Sequence, residues 1–452
     1  MTRRILATTA LSLVLACLSA HAATPVAPAQ KWVATWAQAM TSNAAAGTQT
    51  SAPQPVSQAD FTLRQTVLTS VGGGRVRIRL SNYFGKAPLT VAAARIALGV
   101  AGSSDLTRIV PSSSRVLRFH GRAGVVIPPG QGASSDAVVL DVPARSTLVI
   151  SLYFATATQL ADMHVMEHMA GMAAVAGDAV DATTLARRAR LHLRGSDAEA
   201  HIYELDGVDV TVPAATRGVA VFGDSITDGA YASTPAHTWP GVIAALANAP
   251  GSGTPMAVVN MGISSDELST DQLGQPSAGM SGLKRFERDV IDQPGVTDVL
   301  VLMGSNDINR GIDRAGQPDG ALAGDLIASL RMLIDVAHQH GLRIYVGTIP
   351  PFAGFTEAGW FTPEKEAVRQ QVNWWIGHAA KVDGVLPFAE VLAGPYWPSP
   401  LAAAQHPLPP GLANACAGDT GLHPNDRGYR VMGTTAFDVM LGRKLSLKQR
   451  CE

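Results

Sequence analysis

The sequence predicts two domains of different class, an all-β sandwich-like domain at residues 30–212 and an α/β domain with a doubly wound parallel sheet at residues 217–445. The first supporting observation is the strict alternation of Arg75-Val-Arg-Ile-Arg-Leu80, which is typical of a strand with one buried face. The second is a change of pattern after Arg217, where short apolar runs alternate with amphipathic stretches. At 452 residues, the chain is also longer than a typical single domain.

The N-terminal domain is predicted to consist of short strands separated by turn residues. Glycine and proline groups at Gly72-Gly-Gly74 and Pro128-Pro-Gly130 mark the turns. The other candidate strands are Phe61–Leu68, Leu89–Leu98, Ala137–Val142, Thr147–Phe154 and His201–Val212. Many short strands with few helical stretches indicate a β-sandwich. We interpret the arginine row of Arg75–Leu80 as a solvated face of the sheet.

The C-terminal domain is predicted to follow the linker Pro213-Ala-Ala-Thr216 and to alternate strands with helices. Its candidate strands are short apolar runs suited to a buried parallel sheet: Val219–Phe222, Ala257–Asn260, Asp298–Met303, Arg343–Thr348 and Val385–Phe388. Its candidate helices have apolar residues at helical spacing: Asp325–Gly341, Glu364–Lys381 and Asp426–Leu441. Such a sheet places its ligand cleft at the carboxyl ends of the strands.

The N-terminus predicts export. Arg3 and Arg4 precede a short apolar stretch, and Ala20-His-Ala22 provides a cleavage site, so residues 1–22 read as a signal peptide. We expect a secreted or periplasmic protein, with an uncleaved anchor as the alternative. No later apolar run reaches membrane-spanning length, so no integral membrane segment is expected after cleavage. A net charge of −1 without a basic stripe argues against nucleic-acid binding.

Signal cleavage would remove Cys17 and leave Cys416 and Cys451. An even pair in an oxidising compartment predicts a disulfide, which would tether the C-terminal tail to the segment that contains His423. Nothing in the sequence suggests a cysteine metal site. His164 and His168 have i, i+4 spacing but lack an evident third ligand, so we expect no metal site.

Four segments after the predicted strands carry residues suited to acyl transfer. Ser225 follows an apolar strand and is the candidate nucleophile, with His423 as the general base and Asp419 orienting the imidazole. The backbone N–H groups of Ser225 and Gly262 and the side-chain amide of Asn306 would form an oxyanion hole. This chemistry needs no cofactor.

At these residues the chain resembles the SGNH (GDSL-type) hydrolases. Gly223-Asp-Ser225-Ile, Gly262, Gly304-Ser-Asn306-Asp and His423 match the four blocks of that family in order. Further similarity over about residues 30–440 is to its secreted bacterial branch with an N-terminal β-domain, which includes xylan-degradation esterases. The resemblance implies a flavodoxin-like catalytic domain and a serine esterase acting through an acyl-enzyme. Its partner would be a small-molecule or polysaccharide ester, with acetyl groups on plant polysaccharide as one substrate.

One departure concerns the third member of the triad. The family has an aspartate three residues before the histidine, where this chain has Thr420, and Asp419 lies four before. Either a one-residue bulge brings Asp419 to the imidazole, or a backbone carbonyl orients His423 and leaves a Ser–His pair.

Other functions stay open on sequence alone. The same fold serves lipases, thioesterases and acyltransferases, and a carbohydrate-binding protein with a lapsed site is the alternative from another class. Trp239, Phe352, Phe355 and Trp360 are candidate cleft-wall residues because long βα loops line such sites. Three further tryptophans, interpreted as core or rim rather than a sugar platform, are Trp374, Trp375 and Trp397. The oligomeric state is not predicted.

Overall fold

The structure of the protein is a computed structural model. It describes residues 29–43, 57–165, 171–186, 188, 190–191, 193, 201–271, 279–315, 319–353, 355, 359–393, 416–417, 421–445 and 451. Four earlier expectations fall outside these residues: the signal peptide at 1–22, His168, Trp397 and Asp419.

The N-terminal β-rich region (residues 29–213) is built of short strands. They are β1 (Gln30–Ala37), β2 (Thr41–Ser42), β3 (Phe61–Leu68), β4 (Gly73–Asn82), β5 (Leu89–Val91), β6 (Ala93–Leu98), β7 (Arg115–Leu117), β8 (Val125–Ile127), β9 (Gln131–Ser134), β10 (Val138–Val142), β11 (Thr147–Phe154), β12 (Asp162–Val165), β13 (Met172–Ala176), β14 (His201–Tyr203) and β15 (Leu205–Pro213). A 3₁₀ turn at Pro111–Ser113 interrupts them.

Two five-stranded antiparallel sheets dominate this region. One has the order β1-β15-β4-β10, with β9 also paired to β4, and the other has the order β13-β3-β11-β6-β7. Smaller sheets, β14-β12-β2 and β5-β8, complete it. Val76, Ile78 and Leu80 of β4 share one apolar core with residues of β3 and β11. Two sheets facing across one core make the predicted sandwich-like arrangement.

Two of the predicted strands are each divided in two. Leu89–Leu98 separates into β5 and β6, which belong to different sheets. His201–Val212 is interrupted at Glu204, whose φ of 56° lies in the left-handed region. An extended run cannot continue through such a residue, so β14 and β15 also join different sheets.

The C-terminal α/β region (residues 217–445) alternates strands and helices. The strands are β16 (Arg217–Gly223), β17 (Met256–Gly262), β18 (Asp298–Leu302), β19 (Arg343–Gly347) and β20 (Gly384–Leu386). The helices are α1 (Ser225–Asp228), α2 (Trp239–Ala247), α3 (Gly282–Phe286), α4 (Ser305–Ala315), α5 (Asp319–Gln339), α6 (Pro363–His378), α7 (Phe388–Leu392) and α8 (Asp426–Met440). A 3₁₀ turn at Pro235–His237 precedes α2, and a π-helical turn at Glu287–Ile291 continues α3.

All five strands of this region run parallel in the order β17-β16-β18-β19-β20. Strand order reverses at β16. Because crossovers between parallel strands are almost always right-handed, this reversal divides the helices between the two faces of the sheet. Accordingly α2 packs on α8, whereas α5 packs on α6, α4 and α3. The predicted fold class is therefore confirmed. No helix among the described residues is both long and apolar enough to span a membrane.

Local sequence explains where the long helices begin. Thr362 caps α6 by accepting a hydrogen bond from the Lys365 N–H, and Pro363 occupies the first turn, where its missing N–H does no harm. Asn425 caps α8 by accepting from the N–H groups of Arg427 and Gly428. This cap fixes the start of α8 at Asp426, three residues after His423.

The two regions share an extensive contact. Strand β1 lies beside β17, with a parallel bridge between Gln38 and Asn260. Across the same contact, the Ala34 N–H donates to the Pro294 carbonyl at 3.1 Å, and the Val258 N–H donates to Ser70 Oγ at 3.0 Å. The β-rich region thus completes the packing around the edge strand of the parallel sheet.

Two arginines of the row on β4 are engaged in ion pairs, and one of them, Arg79, reaches the contact between the two regions. Arg77 and Arg79 bind the buried Asp209 through Nε at 2.8 Å and 3.1 Å, and Arg79 also donates to Gln293 Oε1 of the α/β region at 2.7 Å. The expectation of a solvated face is wrong at these two positions, although Arg75 is exposed. Alternation revealed which side chains share a face, but not what covers that face.

Candidate active site

Ser225 stands at the junction of β16 and the short helix α1. Asp224 caps this helix by accepting a hydrogen bond from the Ile226 N–H at 3.0 Å. Ser225 is half-buried, and its Oγ lies 2.9 Å from His423 Nε2. The structure therefore brings together the predicted nucleophile and the predicted base, in the geometry that proton transfer between them requires.

Glycine at the end of β16 permits this close packing. A Cβ on Gly223 would lie 2.0 Å from Thr227 Oγ1 and 2.5 Å from the Leu302 carbonyl oxygen. Any larger residue would push the nucleophile turn away from β18. The position of Ser225 is therefore set by the backbone on both sides of it.

Two aromatic rings contact the imidazole of His423. Tyr231 stacks on it with ring centroids 5.5 Å apart and planes at 25°, and Phe355 meets it edge-on at 6.2 Å and 88°. Because Asp419 lies outside the described residues, the choice between Asp419 and a backbone carbonyl as the group that orients His423 stays a prediction.

Gly262 ends β17 directly beside Gly223. Its N–H donates to Asn260 Oδ1 at 3.0 Å, and a Cβ at this position would lie 2.1 Å from the Asp228 N atom. Asn260 in turn donates through Nδ2 to the Thr227 carbonyl at 2.8 Å. Gly262 thus serves close packing behind the nucleophile turn, and in this structure its amide is already hydrogen-bonded.

The turn that follows β17 presents a different amide. Ser265 has a φ of 65°, and the turn closes through a hydrogen bond from the Asp266 N–H to the Ile263 carbonyl at 3.2 Å. Within the described part of the chain, the Ser265 and Ser225 N–H groups have no acceptor. The sequence did not mark Ser265, because a left-handed conformation usually signals glycine or asparagine rather than serine.

Asn306 is buried at the start of α4, just after β18. Its Nδ2 donates to the Asp266 carbonyl at 3.0 Å, which joins it to the turn that contains Ser265. The amide nitrogen carries two protons, so one N–H is left for a ligand. Asn306 and Ser265 are therefore neighbours at the carboxyl edge of the sheet.

Arg285 lies buried beneath these loops and bonds to several of them, a role that the sequence did not reveal. It is fully buried and donates to the Gly223 and Met261 carbonyls, both at 2.8 Å. It also binds Asp266 at 2.7 Å and Asp289 at 3.1 Å. One guanidinium thus ties the ends of β16 and β17 to the Ser265 turn.

Three buried carboxyl groups near the site hold backbone amides or Arg285. Burial raises the pKa of Asp224 and of Asp307 to about 6, and that of Asp266 to about 7. Asp307 accepts from the Leu268 and Ser269 N–H groups at 2.9 Å and 3.2 Å. Their contacts indicate that these groups shape the loops.

A histidine of the β-rich region reaches the nucleophile helix. His164 Nδ1 lies 2.6 Å from the Ala39 carbonyl, and its Nε2 lies 3.0 Å from Asp228 Oδ1. Asp228 also accepts from Ser264 Oγ at 2.8 Å. Because a carbonyl only accepts, Nδ1 carries a proton, and Nε2 is left to face the Asp228 carboxyl group. Within the described residues no three side chains are grouped as metal ligands.

We expect His164 and Asp228 to be coupled by about 1–3 kcal/mol in a double-mutant cycle of His164→Phe and Asp228→Ala, because both side chains are largely buried and in hydrogen-bond contact with each other. Urea unfolding measures the cycle. The exposed pair His338 and Asp383, at 3.1 Å, is the matched control and should couple by less than about 1 kcal/mol. Equal coupling in the two cycles would contradict the prediction.

The predicted cleft-wall aromatics separate into two groups. Trp239 and Phe352 are fully buried in the core, so the expectation is wrong for them. Phe355 and Trp360 are partly exposed, and their ring centroids lie 4.8 Å apart. Phe355 also contacts His423. The expectation is based on position near a βα loop, and such a position does not distinguish an aromatic that points inward from one that borders a cleft.

Cys416 and Cys451 are joined by a disulfide. The Cys451 N–H also donates to the Val391 carbonyl at 3.1 Å, and the Asn425 N–H donates to the Cys416 carbonyl at 2.8 Å. The bond therefore connects the C-terminal end of the chain to the segment that leads into His423 and α8.

Residues 221–431 match the model of the GDSL-like Lipase/Acylhydrolase family. This part of the chain is a GDSL-like lipase/acylhydrolase domain, as the four sequence blocks indicated.

Several solved structures are similar to about half of the chain. One is the M. smegmatis aryl esterase, with 15% identity over 51% of this chain and 100% of that chain and a TM-score of 0.37. Another is a carbohydrate acetylesterase from Sinorhizobium meliloti, with 19% identity over 50% of this chain and 99% of that chain and a TM-score of 0.36. A third is a GDSL-like lipase from Bacteroides thetaiotaomicron, with 16% identity over 50% of this chain and 86% of that chain and a TM-score of 0.32. No curated protein matches the chain.

Proposed function

We propose that this protein is a serine ester hydrolase that works through an acyl-enzyme. The observation that carries the proposal is the 2.9 Å contact between Ser225 Oγ and His423 Nε2 at the carboxyl end of the parallel sheet of a GDSL-like domain. This contact is what nucleophilic catalysis by serine requires.

In acylation, Ser225 Oγ attacks the ester carbonyl carbon while His423 Nε2 takes its proton. The tetrahedral intermediate then expels the alcohol, which receives that proton from His423, and the acyl group stays on Ser225. In deacylation a water molecule gives one proton to His423 and attacks the acyl carbon. The carboxylic acid leaves as Ser225 Oγ recovers the proton, and the cycle closes without a cofactor.

For the oxyanion we propose three donors: the N–H groups of Ser225 and Ser265 and the free N–H of Asn306. The first two have no acceptor within the described residues, and the third adjoins the Ser265 turn. The Ser265 amide replaces that of Gly262, which is bonded to Asn260. Donors fixed in advance stabilise charge that develops only in the transition state.

We further propose Asp419 as the group that orients His423, with a backbone carbonyl as the alternative. The protein would be exported, and acetylated plant polysaccharide would be among its substrates. Lipase, thioesterase and acyltransferase activities on this fold are the competing specificities.

A panel of esters tests the function and its specificity together. It would contain p-nitrophenyl esters of increasing acyl length, an acyl thioester and acetylated xylan, each measured with wild-type protein and with Ser225→Ala. Ser225-dependent release of acetate from xylan would support the polysaccharide proposal. Preference for long acyl chains would favour a lipase, and the absence of any Ser225-dependent turnover would refute the esterase.

Asn306→Ala is expected to lower kcat by about 10²–10³-fold and to change KM much less, because the lost amide stabilises the transition state rather than the bound ester. Steady-state kinetics on a short p-nitrophenyl ester measures the two constants. Asn309→Ala is the matched control, since Asn309 is equally buried on α4 and bonds only to the Ser305 carbonyl at 3.0 Å. A rise in KM at constant kcat would contradict the oxyanion role.

A further inference from the structure

We propose that Tyr231, supported by Phe355, binds the alcohol part of the ester and selects alcohols that carry a ring. This inference rests on the proposed esterase function and names its substrate class. Sugars and phenols share the required chemistry, a flat or slightly puckered ring one bond from the ester oxygen.

The first step in the argument is the position of these rings. Tyr231 stacks on the His423 imidazole at 5.5 Å, and Phe355 meets the same imidazole edge-on at 6.2 Å. Trp360 packs against Phe355, with ring centroids 4.8 Å apart. The base is thus bordered by aromatic surface on two sides.

The second step is the conformation of Tyr231. Its φ of 65° is in the left-handed region, which an aromatic residue rarely adopts, and half of the residue is exposed. Contacts on each side hold the segment: the Ala230 carbonyl accepts from Tyr429 Oη at 2.7 Å, and the Ser233 N–H donates to Asp426 at 2.8 Å. Strained, exposed residues that the surroundings fix in place are typical of ligand contacts.

The third step is the direction of proton transfer. His423 must return its proton to the departing alkoxide, so the ester oxygen lies within hydrogen-bond reach of Nε2 when the C–O bond breaks. Among the described residues, Tyr231 and Phe355 are the aromatic rings that border the imidazole, so the alcohol attached to that oxygen lies against them. The acyl group stays bonded to Ser225, beside the proposed oxyanion donors.

The fourth step gives a kinetic signature. Once the alcohol has left, every acetate ester yields the same acetyl-enzyme, and its hydrolysis no longer involves the alcohol site. Loss of the Tyr231 ring should therefore lower kcat/KM, which reports acylation, for ring alcohols. It should leave the rate of deacylation unchanged.

The experiment compares Tyr231→Leu with wild type on acetates of a xyloside, phenol, cyclohexanol and ethanol. Leucine keeps the left-handed strain and the apolar character but removes the ring. We expect kcat/KM to fall about fivefold for the ring alcohols, in keeping with one aromatic contact, and less than twofold for ethyl acetate. The xyloside and phenyl arms distinguish sugar from aryl alcohol as the preferred source of the ring.

Two controls accompany the experiment. Tyr231→Phe should retain the wild-type preference, because it keeps the ring. Trp374→Leu should behave like wild type on all four acetates, because Trp374 is an exposed aromatic on α6 that stacks on His378 rather than on His423. A pre-steady-state burst with p-nitrophenyl acetate measures deacylation separately.

An equal loss of kcat/KM on all four acetates would overturn this inference alone, since Tyr231 would then act only by holding His423. A loss in Tyr231→Leu that varies with acyl length across the p-nitrophenyl ester panel, instead of with alcohol structure across the four acetates, would overturn it as well. If wild-type protein hydrolysed no ester in a Ser225-dependent manner, the proposed function would fail, and this inference with it.

Discussion

Ser225→Ala is expected to lower kcat for ester hydrolysis by about 10⁴-fold or more while leaving the protein folded. The reason is that no other group on the described loops replaces a serine oxygen fixed 2.9 Å from His423 Nε2. His423→Ala should cause a loss of similar size, since nucleophile and base act as one unit. Combining the two substitutions should therefore add little to either single loss.

Turnover of a short p-nitrophenyl ester measures this effect, and a thermal melt checks that the variants are folded. Ser329→Ala is the matched control, because Ser329 is a buried serine whose Oγ only donates to the Asp325 carbonyl at 2.9 Å. Near-native turnover by pure Ser225→Ala protein would show that another residue is the nucleophile.

Arg285→Met is expected to lower the free energy of unfolding by about 3–5 kcal/mol. The substitution leaves the buried carboxylate of Asp266 without its cation and removes one of the two arginines that pair with Asp289. It also frees the Gly223 and Met261 carbonyls. Activity should also fall, because these groups hold the nucleophile turn and the Ser265 turn together.

Urea unfolding followed by circular dichroism measures the stability change. Lys284→Met, one residue earlier, is the matched control: its ion pair with Asp271 at 2.5 Å is largely exposed, so its loss should change stability by less than about 1 kcal/mol. A similarly small effect for Arg285→Met would mean that the loops do not depend on the guanidinium.

The fold was predictable because its signals are local. The apolar runs of the parallel strands are found within a few residues of their observed limits, as in Val219–Phe222 against Arg217–Gly223. The division of His201–Val212 was not predictable, since nothing in the sequence marks Glu204 as left-handed. Side-chain alternation in Arg75–Leu80 likewise gave the correct face but not its partner, because contacts between distant segments leave no local pattern.

The residues of the candidate site also fall into two groups: those that a local sequence motif predicts and those that only the packing reveals. Ser225, Asn306 and His423 could be proposed because each follows a strand or precedes a helix in a short motif. Arg285 lies in Gly282-Leu-Lys-Arg-Phe286, which reads as an ordinary helical turn with two basic residues. That Arg285 is buried while Lys284 is exposed follows only from the packing of α3 against the strand ends.

The pairing of β1 with β15 has a consequence for how the chain reaches its native state. These are the first and last strands of the β-rich region, and they lie side by side with Gln30 opposite Pro213. During synthesis β1 cannot pair with β15 until nearly the whole β-rich region has emerged from the ribosome. Contacts between such distant residues fold slowly, since a long loop must close before they form. The same strand then supplies packing for β17, so closure of the β-rich region is a precondition for a complete α/β core.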